Sequence, residues 1–80
     1  MRIDKYLKVS RLIKRRTVAA SACDSERVSV NGKPVKAGYQ VKVGDVVELS
    51  LGQRTLRVRI TDVSENVRKE NAAAMYEEIL

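Results

Sequence analysis

Apolar residues fall four apart near the start of the chain and two apart through its middle, and this change of period marks a change from helix to strand. Ile3 and Leu7, with Tyr6 beside them, share one face of a first helix that Asp4 is placed to cap. Lys5, Lys8 and Arg11 recur every three residues, which makes them one slowly turning basic stripe on that helix. The stretch "LIKRR" turns a corner. A second helix then runs from about Arg15 or Thr17 to Asp24 and turns Val18, Ala19, Ala22 and Cys23 inward. The small side chains on that face let it approach its neighbour closely.

From Val28 onward the period is two. Val28 and Val30 alternate with Ser29, and Asn31-Gly32 is the strongest short hairpin signal, because both turn residues must take positive φ. Pro34 cannot donate a ladder hydrogen bond, so its strand lies at an edge or ends there. Gly44-Asp45 turns the chain before a strand carrying Val46, Val47, Leu49 and Leu51. "TLRVRITDV" alternates cleanly, with Leu56, Val58 and Ile60 inward and Arg57, Arg59 and Thr61 outward. The tail reads as a helix with Ala72, Met75, Tyr76 and Ile79 on one stripe. The predicted order is two helices, four or five short strands and a terminal helix. That is an α+β domain over residues 1–64, its sheet mostly antiparallel, with a helical tail over 65–80.

Composition narrows the picture. An 80-residue chain with 44% hydrophobic and 32% charged residues forms one small soluble domain. It has no Trp and no Phe, so its core is built from Val, Leu, Ile and Ala with three Tyr. The single Cys23 can form no internal disulfide and, without any His, no metal cluster; it reads as a small buried hydrophobe in a reducing cytoplasm. "MRIDKYLKVSRL" lacks the apolar run of a signal peptide, and no stretch reaches the ~20 apolar residues of a membrane span.

Charge changes the picture most. The net charge is +6. Residues 1–16 hold seven basic side chains against Asp4, while residues 17–80 hold nine basic and nine acidic ones. The whole excess therefore sits in the first fifth of the chain. A charge that served only solubility would be spread more evenly, so a polyanion is the partner to expect.

The ordered run "RIDKYL", a basic turn, a short helix, "RVSVNG" and "VGDVV" resembles the S-four RNA-binding domain, also called the alpha-L motif, over residues 1–51. With "KVSRLIKRRT" and the late "KENAAAMYEEI", the chain is similar to the RqcP (YabO) family of bacterial ribosome quality control. It is less similar to the Hsp-fifteen family, which adds a basic extension after the same domain. The resemblance implies binding to large-subunit rRNA and to P-site peptidyl-tRNA on stalled large subunits. It further implies support for the RqcH factor as that factor extends the stalled chain with alanine. By position, the RNA contacts it implies are Arg2, Lys5 and Arg16, with Lys8, Arg11 and Arg15 alongside; Lys14 joins the RNA-binding candidates as part of the same basic stretch. Asp4 is expected to orient the neighbouring cations or to cap the helix. Glu26 stands where most S-four domains have Gly, at a left-handed helix end.

The remaining cations divide less sharply. Lys33 and Lys36, beside the hairpin, are secondary candidates, and Arg57 and Arg59 serve solubility equally well. Asn31-Gly32 is read first as a turn, and Met75 and Tyr76 as packing for the tail. Three function classes compete. An enzyme needs a nucleophile with a base, a paired carboxylate site or a metal, and none is visible; no cofactor is implied. A ubiquitin-like carrier ends in Gly-Gly, whereas this chain reads "YEEIL". A monomeric, cytoplasmic RNA-binding factor fits every feature. Recycling of large subunits with nascent chains, or ribosome assembly, are its alternatives.

Overall fold

The computed structural model describes residues 1–65 and 67–79. Helix α1 spans Ile3–Val9 and α2 Arg16–Asp24; strands follow at Val28–Val30 (β1), Lys33–Pro34 (β2), Val46–Leu51 (β3) and Arg54–Ile60 (β4). A 3-10 helix at Lys69–Met75 leads into β5, Tyr76–Glu78. The strands pair antiparallel in the order β2-β1-β3-β4-β5. The α+β reading holds.

Register explains the core. Val28 lies opposite Leu49 and Val30 opposite Val47, while Val47 in turn faces Val58 and Leu49 faces Leu56. These side chains share one face of the sheet, against which Ile3, Tyr6 and Leu7 of α1 and Ala19 and Cys23 of α2 are buried. The other face carries the charged alternates. There Arg57 pairs with Glu48 at 2.9 Å and Arg59 with Glu77 at 3.7 Å. The outward arginines of β4 are thus already matched by carboxylates on neighbouring strands.

The turns follow their residues closely. Asn31 and Gly32 take φ of 52° and 86°, and Val30 pairs with Lys33 across them. The Asn31 side chain is occupied with structure: its Oδ1 accepts from the Val46 N–H, and its Nδ2 donates to buried Asp45. Helix α2 ends in a Schellman turn, with the Glu26 N–H bonded to the Cys23 carbonyl and the Arg27 N–H to that of Ala22. Glu26 adopts φ 61°, the left-handed conformation that favours Gly.

Three expectations are corrected. Asp4 does not cap α1. It lies inside the helix rather than at its N-cap, and of the first-turn donors the Ile3 and Asp4 N–H groups are met by the Tyr39 and Ala37 carbonyls of the loop before β3 while the Lys5 N–H is met by the Asp4 side chain. Val18 is not inward but 52% exposed, because α2 is short and buries only the narrow stripe of Ala19 and Cys23.

The tail, third, is not one helix. Ala72 and Met75 are buried three residues apart, which is the period of a 3-10 helix. At Tyr76 the chain becomes extended and pairs with β4, placing Tyr76 opposite Ile60 and Glu77 opposite Arg59. A short helix gains little without a face to pack, whereas the open edge of β4 presents backbone groups that need partners. Two hydrogen bonds lock the junction. Tyr6 Oη donates to the Met75 carbonyl at 2.9 Å, and Thr61 Oγ1 to that of Ala74 at 2.7 Å.

Burial pushes the Cys23 thiol up to about 11, with the nearby Asp4 and Asp24 charges adding to the effect. Burial likewise raises the Tyr6 hydroxyl. Unfolded, the thiol titrates near 9.0 and a tyrosine near 10.0. Above pH 9 the native state therefore keeps protons that the unfolded chain has lost, and stability complete below pH 9 falls as pH rises toward 11. Urea midpoints at pH 8 and 10.5 are expected to show that fall, and Cys23→Ala to reduce it. Glu26→Gly, relieving the left-handed strain, is expected to stabilise the fold by about 1 kcal/mol. A melting experiment should read this as a Tm rise of roughly 4–8 °C.

Candidate nucleic-acid interface

Two arginines converge on one carboxylate. Arg2 lies just before α1, held in place by an antiparallel bridge to Gln40. Arg16 is the first residue of α2. Between them stands Asp4, its side chain only 5% exposed. Arg2 donates from Nε to Asp4 Oδ1 and from Nη2 to Oδ2, both at 3.2 Å. Arg16 Nε sits 3.5 Å from Oδ2. Asp4 Oδ1 also accepts the Lys5 N–H at 2.8 Å, so the carboxylate is held rigidly. Of the two roles expected for Asp4, the structure shows the orienting one.

The guanidiniums are not consumed by this pairing. Arg2 and Arg16 keep half of their side-chain surface exposed, 50% and 48%. Each offers further N–H donors in a fixed plane, the geometry that suits a phosphate. Two cations on one carboxylate leave a net positive charge. The arrangement is a pre-oriented anion clamp.

The other predicted cations sort into four groups. Lys8 lies exposed on α1, but the helix ends at Val9, so Arg11 is not part of its stripe. Arg11 instead occupies the corner with φ 64°, and its N–H bonds the Lys8 carbonyl to close the helix. Lys8, Arg11 and Lys14 line one groove. Arg15 is exposed at the N-cap position of α2. Lys5 is diverted: its Nζ lies 3.1 Å from Glu65. Lys33 and Lys36 line a separate hollow with Pro34 and half-exposed Tyr39, outside that groove.

One cation was invisible to the sequence reading. Arg68 lines the same groove as Lys8, Arg11 and Lys14, together with Val67 and Glu65. Assigned to a helical tail, it gave no sign of reaching α1, about sixty residues earlier. The turn that redirects the chain is built by Asp62, whose Oδ1 accepts from the Ser64 N–H at 2.9 Å and from its hydroxyl at 2.7 Å. Those bonds, the side-chain one foremost, hold the Asp62 carboxyl below the usual carboxylate range. Among the described residues, no three His, Cys, Asp or Glu side chains group as a metal site, and no helix is long and apolar enough to cross a membrane.

Asp4→Asn keeps the bond to the Lys5 N–H but loses the charge that aligns both arginines. Since the arginines can rehydrate, the expected cost is about 1–2 kcal/mol, below that of breaking a fully buried pair. Denaturant unfolding checks it, with Asp24→Asn, an exposed carboxylate, as the control.

Residues 1–47 match the S4 domain family. The chain is 54% identical over 77 residues to the "RQC P-site tRNA stabilizing factor" of Halalkalibacterium halodurans, covering 96% of this chain and 88% of that one. It is 33% identical to a "Heat shock protein 15 homolog" of Aeromonas salmonicida, over 98% of this chain and 60% of the relative. The trimeric structure of Vibrio cholerae Heat Shock Protein 15 superposes with a TM-score of 0.92 at 28% identity, over 99% of this chain and 81% of that one. The chain belongs to the S4 domain family and, within it, to the RQC P-site tRNA stabilizing factors.

Proposed function

We propose that this protein is a non-catalytic RNA-binding factor of ribosome quality control. It binds large ribosomal subunits that carry peptidyl-tRNA and steadies the P-site tRNA while an RqcH-type factor adds alanine to the stalled chain. The observation that carries this reading is the Arg2–Asp4–Arg16 clamp, half exposed and pre-oriented, on a chain whose relative is named for stabilising that tRNA. The mechanism is positional. Guanidiniums fixed by Asp4 lose little further freedom on gripping a phosphate, so the grip holds one backbone geometry rather than a range. A buried thiol that stays protonated is a poor nucleophile, which supports a binding role over a catalytic one. The protein acts as a monomer in the cytoplasm.

The likeness in fold to Heat Shock Protein 15 supports a second reading, recycling of large subunits with attached nascent chains through the same face. Both readings share the clamp and differ in the consequence of binding.

Pelleting through a sucrose cushion separates both from a non-ribosomal role, and alanine tailing of the stalled chain by an RqcH-type factor, measured with and without the protein, separates them from each other. Wild-type protein is expected to prefer large subunits carrying peptidyl-tRNA over empty ones. Arg16→Ala is expected to bind them about tenfold more weakly, the loss of one charge-assisted contact worth roughly 1.4 kcal/mol. With five or six phosphate contacts, log affinity should fall with log salt at a slope of about 4–5. Equal pelleting with both particles, or a flat salt response, contradicts the proposal.

A further inference from the structure

We propose that the groove between α1, the corner after it and residues 65, 67 and 68 holds an RNA phosphodiester backbone between two cationic walls, with Arg68 as the contact of the second wall. This rests on the RNA-binding reading above and extends the interface to a part of the chain that the S4 match, ending at residue 47, does not reach.

Burial orders the groove from floor to rim. Val9 and Val67 are half buried and form an apolar floor, while Lys8, Arg11, Lys14 and Arg68 are exposed around it. Among the described residues, no carboxylate lies within 4.0 Å of any of these four cations. Glu65, the acidic residue of the lining, is paired with Lys5. Four cations facing one another across a groove gain nothing from the fold, since like charges repel. They gain from an anion that runs between them. A phosphodiester backbone supplies one negative charge per nucleotide and an apolar ribose edge for the floor.

The Lys5–Glu65 pair has a definite part in this arrangement. At 3.1 Å it ties the start of the segment to α1, and the Asp62–Ser64 turn and the Thr61 hydroxyl fix the chain just before it. The second wall is therefore tethered rather than loose. Glu65 also places a negative charge beside the path of the backbone and occupies Lys5. The same residue that holds the wall weakens the field of the groove.

These two roles make opposite variants informative. Binding is measured as a function of salt with two probes, purified large-subunit rRNA and large subunits carrying peptidyl-tRNA. Arg68→Ala is expected to lower the slope of log affinity against log salt by about 0.7–0.9, the change for one phosphate contact. Arg68→Lys is expected to restore most of that slope. Glu65→Gln, whose amide oxygen still accepts from Lys5 and so keeps the tether while removing the charge, is expected to tighten binding several-fold, a gain that no folding defect produces. Arg54→Ala, an exposed arginine outside the groove, is expected to leave both probes unchanged. A wild-type slope for Arg68→Ala, or weakened binding by Glu65→Gln, overturns the proposal. The rRNA probe separates this outcome from failure of the quality-control reading. The groove stands if the slope changes on rRNA even when the protein shows no preference for peptidyl-tRNA.

Discussion

The carboxylate of Asp4 is the point on which the interface depends. It is buried in the first turn of α1, yet it meets cations from two separate elements, Arg2 before α1 and Arg16 at the start of α2. A buried carboxylate is costly unless its oxygens are fully engaged, and here each accepts from a guanidinium while one also takes a backbone N–H. The pairing works because the helix end beneath it is already satisfied. The loop carbonyls of Ala37 and Tyr39 take the first two N–H groups of α1, so Asp4 accepts from the Lys5 N–H alone among the helix-end donors and keeps both oxygens on the arginines.

Cations in this protein fall into two populations. On the outer face of the sheet, Arg57 and Arg59 sit opposite Glu48 and Glu77, so their field is largely cancelled. On the helical side, cations outnumber the carboxylates that face them. The same residue type is thus neutralised on one face and left in excess on the other. What differs is the partner each neighbouring strand or helix supplies.

The chain beyond the S4 match is built into the domain rather than appended to it. β5 completes the sheet, Met75 enters the core, and its carbonyl receives the hydroxyl of Tyr6 from α1. That hydrogen bond joins residues 69 positions apart. Glu65, Val67 and Arg68 consequently lie against α1 and its corner, which is how Arg68 comes to line one groove with Lys8 and Arg11.

Periodicity and turn chemistry carried much of this fold in plain view. The alternation of Val28, Val30, Leu49, Val58 and Ile60 and the dipeptide Asn31-Gly32 determined strands and hairpin, because side-chain period and positive φ are local properties. The concentration of charge in residues 1–16 was likewise legible, since it needs only counting. Three features were decided by tertiary structure alone. Tyr76–Glu78 became a strand because β4 had an open edge, a fact no local propensity contains. Asp4 became an orienting group because a distant loop satisfied the helix end in its place. Arg68 joined the basic face because the pairing of β5 with β4 and the buried Tyr6–Met75 hydrogen bond fold the end of the chain back onto α1. Local sequence sets what a segment can form; which partner it meets depends on contacts between segments that the chain order does not display.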